Sequence, residues 1–169
     1  MILTRDAILA EIAARRLRIE PFSLDQVGPA SIDLHLGDQI RIIDGGPEVI
    51  DVDDAADFRR VSRVAPLVEP YLLPPGETIH GITREHITLP DDVAGWLEGR
   101  SRFARLGLMI HVTAGFVNPG VSNRQVLEIS NVSNRKLAIH AGTRICQIVL
   151  QRTEGRAVYA GRFREQNEL

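Results

Sequence analysis

The chain has 169 residues, 44% hydrophobic and 25% charged, which is one domain's worth of sequence with enough apolar content for a core. Its 20 Lys and Arg balance 22 Asp and Glu to a formal charge of −2, so no general surface for nucleic acid or another polyanion is expected. The lone cysteine, Cys146, excludes an internal disulfide or a Cys-based metal cluster within one chain and fits a cytoplasmic location.

The first expected element is a helix. Thr4 suits an N-cap, and Ile8, Leu9, Ile12 and Leu17 fall near a 3.6-residue period until Pro21 stops it. This N-terminus lacks the charged and apolar regions of a secretory signal, and no apolar run along the chain is long enough to span a membrane. Ser31–Leu36 alternates apolar and polar residues as a half-buried strand does, and Gln39–Ile43 resumes the pattern. Gly45, Gly46 and Pro47 mark a turn, and residues 51–63 read as a surface excursion. Further strands are expected at Ile79–Thr83, Val93–Leu97, Met109–Thr113, Val126–Ser130, Leu137–Ile139 and Ile145–Leu150. Ser101–Leu106 breaks the alternation and reads as a short helix ending at Gly107. Many short strands after one helix predict a mainly-β sandwich or barrel.

Generic motifs are missing. There is no phosphate loop, no G-x-G-x-x-G and no H-E-x-x-H, and the zinc-deaminase pattern H-x-E with P-C-x-x-C does not occur. The five histidines (His35, His80, His86, His111, His140) have no ligand spacing and read as ordinary strand or surface residues. Arg100, Ser101, Arg102 and Arg105 crowd one turn-rich stretch, a composition suited to phosphate as well as to a solvated loop. HVTAGFVNPG reads as a tight hairpin shaped by Gly115, Pro119 and Gly120. Alternation puts Glu128 on the face of Val126 and Ser130, opposite Leu127 and Ile129. A carboxylate in such a partly apolar setting is a candidate for a raised pKa and proton transfer.

Taken in order, GPASIDLHLG (28–37), LPPGE (73–77), ITLPDDVAGWLEGRS (87–101), GRSRFARLGLMIHVTAG (99–115), VLEISN (126–131), AGTRICQIVL (141–150) and YAGRFREQ (159–166) resemble the dCTP deaminase family of the trimeric dUTPase-like superfamily. The resemblance covers nearly the whole chain. It implies a distorted jelly-roll β-barrel with a short N-terminal helix, a single domain over 1–169, and a homotrimer with active sites between subunits. Residues 159–169 would be a tail that closes over the active site. It also implies zinc-independent hydrolysis of dCTP to dUTP and ammonia, with magnesium entering on the triphosphate.

On this resemblance Glu128 is the proton-transferring carboxylate, Ser101 helps hold the water, and Arg105 supports the catalytic centre. Arg100 and Arg102 belong to the phosphate segment, Thr113 and Ala114 meet the cytosine ring, and Asn118, Val126 and Leu127 line the nucleoside. Gln147 is a pocket glutamine of the family pattern, and Tyr159, Arg162 and Gln166 belong to the closing tail. Several positions depart from the pattern. Arg102 replaces a serine, Asn118 an aspartate, Val121 an aromatic residue and Asn123 a glycine, and Arg162-Phe163 stands for Lys-Tyr. Asn118 cannot act as a base at neutral pH, which argues against dUTP splitting. The departures keep open a bifunctional deaminase–dUTPase, a deaminase of altered specificity, and a catalytically silent nucleotide-binding regulatory trimer.

Overall fold

The fold is described from a computed structural model covering residues 1–47, 49–111 and 113–169. One helix, α1 (Arg5–Ala13), precedes a chain of short strands: β1 (Arg18–Glu20), β2 (Ile32–Ile43), β3 (Ser62–Pro66), β4 (Tyr71–Leu73), β5 (Thr78–Thr88) and β6 (Val93–Gly99). The short helix α2 (Ser101–Ala104) follows, then β7 (Leu108–Ile110), β8 (Phe116–Val117), β9 (Ser122–Asn131), β10 (Leu137–Ile139) and β11 (Arg144–Arg152). The main sheet runs β7-β9-β5-β2-β11-β6-β8, with β1 added to β5 and β3 to β2, while β10 pairs β4 separately. The architecture is the expected mainly-β distorted barrel with a short N-terminal helix. Among the described residues no helix is long and apolar enough to cross a membrane.

Period-two burial builds the wall. Along β9 the residues Asn123, Gln125, Leu127, Ile129 and Asn131 are buried while their neighbours are not. Ile32, Leu34 and Leu36 of β2 and Ile145, Ile148 and Leu150 of β11 fill the same interior. Each such side chain contributes roughly 1.5–3 kcal/mol relative to exposure.

Three expectations need correction. The first helix stops at Ala13, four residues before Leu17, because Arg15 adopts a left-handed φ of 56°. That turn lets the backbone N–H groups of Arg16 and Leu17 both reach the Glu11 carbonyl, and Leu17 still reaches the core. The excursion at 51–63 is not surface loop throughout. Phe58–Val61 forms a 3-10 turn and the chain enters β3 at Ser62. The strand expected at Met109–Thr113 spans only Leu108–Ile110, since His111 also takes a left-handed φ of 57°. Val112, within that expected strand, lies outside the described residues.

A buried carboxylate fastens α1 to the barrel. Glu11 accepts from Arg16 Nε at 2.8 Å and pairs with Arg152 at the end of β11, while Arg16 also reaches Asp92 at 2.5 Å. Burial pushes the Glu11 carboxyl upward, but the two guanidinium groups outweigh it and hold it below the ordinary carboxylate value.

Candidate active site

Three adjacent strands put a charged row on one face. The register pairs Arg41 of β2 with His80 of β5, and His80 with Glu128 of β9. Residues directly opposite on one face lie within side-chain reach. Beyond Glu128, at the end of β7, the His111 backbone N–H donates to the Glu128 carbonyl at 2.7 Å.

Thr113 holds the Glu128 carboxylate. Its hydroxyl donates to Oε1 at 2.7 Å and to Oε2 at 2.9 Å, and its backbone N–H donates to Oε2 at 3.1 Å. Burial raises the Glu128 pKa, but these bonds, with the nearby imidazoles of His111 and His80, outweigh it and set the carboxyl below its ordinary value. The expected upward shift is therefore overturned: partners that bond the anion beat desolvation. The facing expected from alternation is observed, with Glu128 half-buried between the buried Leu127 and Ile129.

The His111 ring braces Ala114 against the backbone of Glu128: Nε2 lies 2.9 Å from the Ala114 carbonyl, and Nδ1 faces the Glu128 backbone N–H at 3.4 Å. His80 is half-buried, its ring edge-on to Phe58 at 6.4 Å. Burial lowers its pKa, opposed by Glu128 and reinforced by Arg41 and His111. Arg41 is buried, stacks over Phe58 at 5.1 Å and donates to Ser62 Oγ at 3.1 Å, while its Nε has no hydrogen-bond partner among the described residues.

Glu128 opens onto a cleft of about 950 Å³ whose lining includes His80, His111, Ala114, Asn118, Val126 and the tail residues Tyr159, Arg162 and Gln166. The Pro119–Gly120 turn is present, but its arms do not form a hairpin with each other. Phe116–Val117 joins β6, and Ser122 onward joins β5. The tail lies against this turn and the start of β9. The Tyr159 N–H donates to the Pro119 carbonyl at 3.0 Å, Asn123 Nδ2 to the Phe163 carbonyl at 2.8 Å, and the Arg124 N–H to the Gln166 carbonyl at 3.1 Å. Gly120 (φ 71°) leaves only 2.9 Å between a would-be Cβ and the Val158 Cα, so a side chain there displaces the tail.

Other candidate residues stand elsewhere. Ser101, Arg102 and Arg105 are exposed on and just after α2, and they are not among the described residues lining the Glu128 cleft. Arg100 pairs with Asp33 at 3.0 Å and donates to the Arg144 carbonyl at 2.9 Å, holding β6, β2 and β11 together. Gln147 accepts from Ser31 Oγ at 2.7 Å. The Leu127 side chain is in the core, so only its backbone is left for a ligand. Thr113 spends its N–H and hydroxyl on Glu128 rather than leaving them free for a ring.

Sequence reasoning missed His80 and His111, which it read as ordinary residues, and Arg41. Strand register brings these together, and no local spacing signals it. Asn123 was visible only as a departure, and its carboxamide proves to tie down the tail, held in turn by Gln125 Nε2 at 2.5 Å. Among the described residues no three His, Cys, Asp or Glu side chains converge as a metal site requires.

A family model described as dCTP deaminase-like matches residues 2–153. A protein of Mycolicibacterium smegmatis named "dCTP deaminase, dUMP-forming" is 42% identical over 154 residues, covering 90% of this chain and 81% of the relative. A protein of the same name from Parafrankia is 38% identical, over 98% of this chain and 87% of the relative. The crystal structure of a 2'-deoxycytidine 5'-triphosphate deaminase from Agrobacterium tumefaciens superposes with a TM-score of 0.70 at 25% identity, covering 90% of this chain and 48% of that longer one. A dUTPase of phage phi11 shares the fold at a TM-score of 0.51 and 14% identity. With a match over nearly the whole chain, the protein belongs to the dCTP deaminase-like family.

Proposed function

We propose that the protein deaminates dCTP by zinc-independent hydrolysis. The observation that carries this reading is Glu128, kept as an anion by Thr113 at the wall of a nucleotide-sized cleft. An ionised carboxylate is the form a general base needs. Glu128 takes one proton from a water attacking C4 of the cytosine. It passes that proton to N3, and the second water proton then reaches the departing amine. Cytosine plus water becomes uracil plus ammonia, and Glu128 ends as it began. No step needs a metal to activate the water, and magnesium would arrive on the triphosphate. The work would be cytoplasmic, in pyrimidine deoxynucleotide supply.

The placement of Ser101, Arg102 and Arg105 outside the Glu128 cleft supports a site shared between copies, as in a homotrimer. In that arrangement one copy supplies Glu128, Thr113, Ala114 and the Asn118 turn. Another supplies the α2 hydroxyl and guanidinium groups for water and phosphate, with Tyr159, Arg162 and Gln166 closing the cleft.

The product released is dUTP, because Asn118 offers no base to activate a second water toward the phosphate chain. The names of the relatives, which are dUMP-forming, favour a second reading in which dUTP is split onward to dUMP and pyrophosphate. Chromatography of products from dCTP, dCMP, CTP and dUTP with magnesium decides this. The expected outcome is conversion of dCTP to dUTP with dUTP left intact. Pyrophosphate from dUTP would establish the second reading, and tight nucleotide binding without turnover would point to a regulatory trimer.

A further inference from the structure

We propose that His80 is a positioning residue for Glu128, whose protonation withdraws the basicity of that carboxylate. The inference rests on the deaminase reading and adds to it a group that tunes the base.

The geometry carries it. His80 and Glu128 are directly opposed across β5 and β9. A second hollow of about 470 Å³ adjoins the cleft, lined by Thr78, Thr113 and Ser130 among others. His80 and Glu128 are the two described side chains that border both cavities. The imidazole and the carboxylate therefore share the partition between the two cavities.

Burial disfavours the His80 cation most, and the charged groups around it among the described residues add to or oppose that effect. Glu128 faces it from β9 and favours the cation, while Arg41 from β2 and His111 beyond β7 oppose it. Phe58 of the 3-10 turn covers the ring, with Arg59 stacked on that phenyl at 5.5 Å. The tail contributes Arg162, Glu165 and Glu168 to the same cleft. Burial adds to the opposition, so the ring is neutral at neutral pH.

A neutral ring leaves Glu128 free to accept a proton from water. A protonated ring sets a cation opposite the carboxylate, stabilises its anionic form and makes it a weaker base. Acidification then slows the reaction as the His80 ring takes up its proton.

The test is the pH dependence of kcat/KM for dCTP in the wild type, His80→Leu and His80→Gln, each checked for fold by circular dichroism. Titration of the substrate is common to all three and cancels in the comparison. The acid limb is expected to move down by about one pH unit or more in both variants. A limb unchanged in both overturns the proposal. A readout independent of turnover is the NMR titration of the His80 ring in the wild type and Glu128→Gln. Loss of the facing anion is expected to lower the His80 pKa, and an unmoved titration overturns the proposal. A wild type that leaves dCTP untouched while this coupling persists defeats the deaminase reading and retains the coupled pair.

Discussion

At the scale of the residue, Glu128 is defined by what touches it. Thr113 supplies both a hydroxyl and an N–H to the carboxylate, so replacing the hydroxyl tests how the base is held. Thr113→Val is expected to raise the Glu128 pKa toward its ordinary value and to lower kcat/KM by about 10- to 100-fold through misplacement of the carboxylate. NMR titration of the carboxyl and steady-state kinetics check the two parts. The sign follows from the downward shift of Glu128. Its stabilising contribution is fully present above the ordinary carboxylate value and is lost as pH falls through the lower folded value. The stability gap between Thr113→Val and wild type is therefore expected at neutral pH and closes in acid. The facing of Glu128 is legible in QVLEISN, because a half-buried strand writes its facing in alternate residues. Its pKa direction is not legible, because it depends on Thr113, brought close only by the turn at His111.

At the scale of the element, α1 is held by charge as well as by apolar contact. Glu11 is buried among Arg16 and Arg152, with Asp92 completing the group. Glu11→Gln is expected to cost about 1.5–3 kcal/mol of stability near neutral pH, the range for hydrogen bonds to charged groups. Because the Glu11 pKa is depressed in the fold, this contribution is present above the ordinary carboxylate value and lost as pH falls through the folded one. Urea unfolding at neutral pH and again in acid should show a large difference and then a small one. The longer strands β2, β5, β6, β9 and β11 are legible because each runs for seven residues or more. β1, β3 and β8 are not, since two to five residues carry too few alternations. The histidines fall in the same gap, for His80 meets Glu128 only through the register of β5 against β9.

At the scale of the molecule, near-neutral net charge conceals a local concentration of arginine. Arg100 is committed to the Asp33 ion pair, whereas Arg102 and Arg105 stand exposed on the α2 segment, away from the Glu128 cleft. The proposed remedy is a neighbouring copy, which makes a chain of 18.7 kDa one third of the working unit. The most direct measurement of the central claim is ammonia release from dCTP by Glu128→Gln, by Arg105→Ala and by trimers reassembled from a mixture of the two. Each variant alone is expected to lose about 10²–10⁴-fold in rate, while the mixture regains activity because some of its sites combine an intact Glu128 with an intact Arg105. Wild-type ammonia release by Glu128→Gln alone, or a mixture as inactive as its parts, would contradict the account.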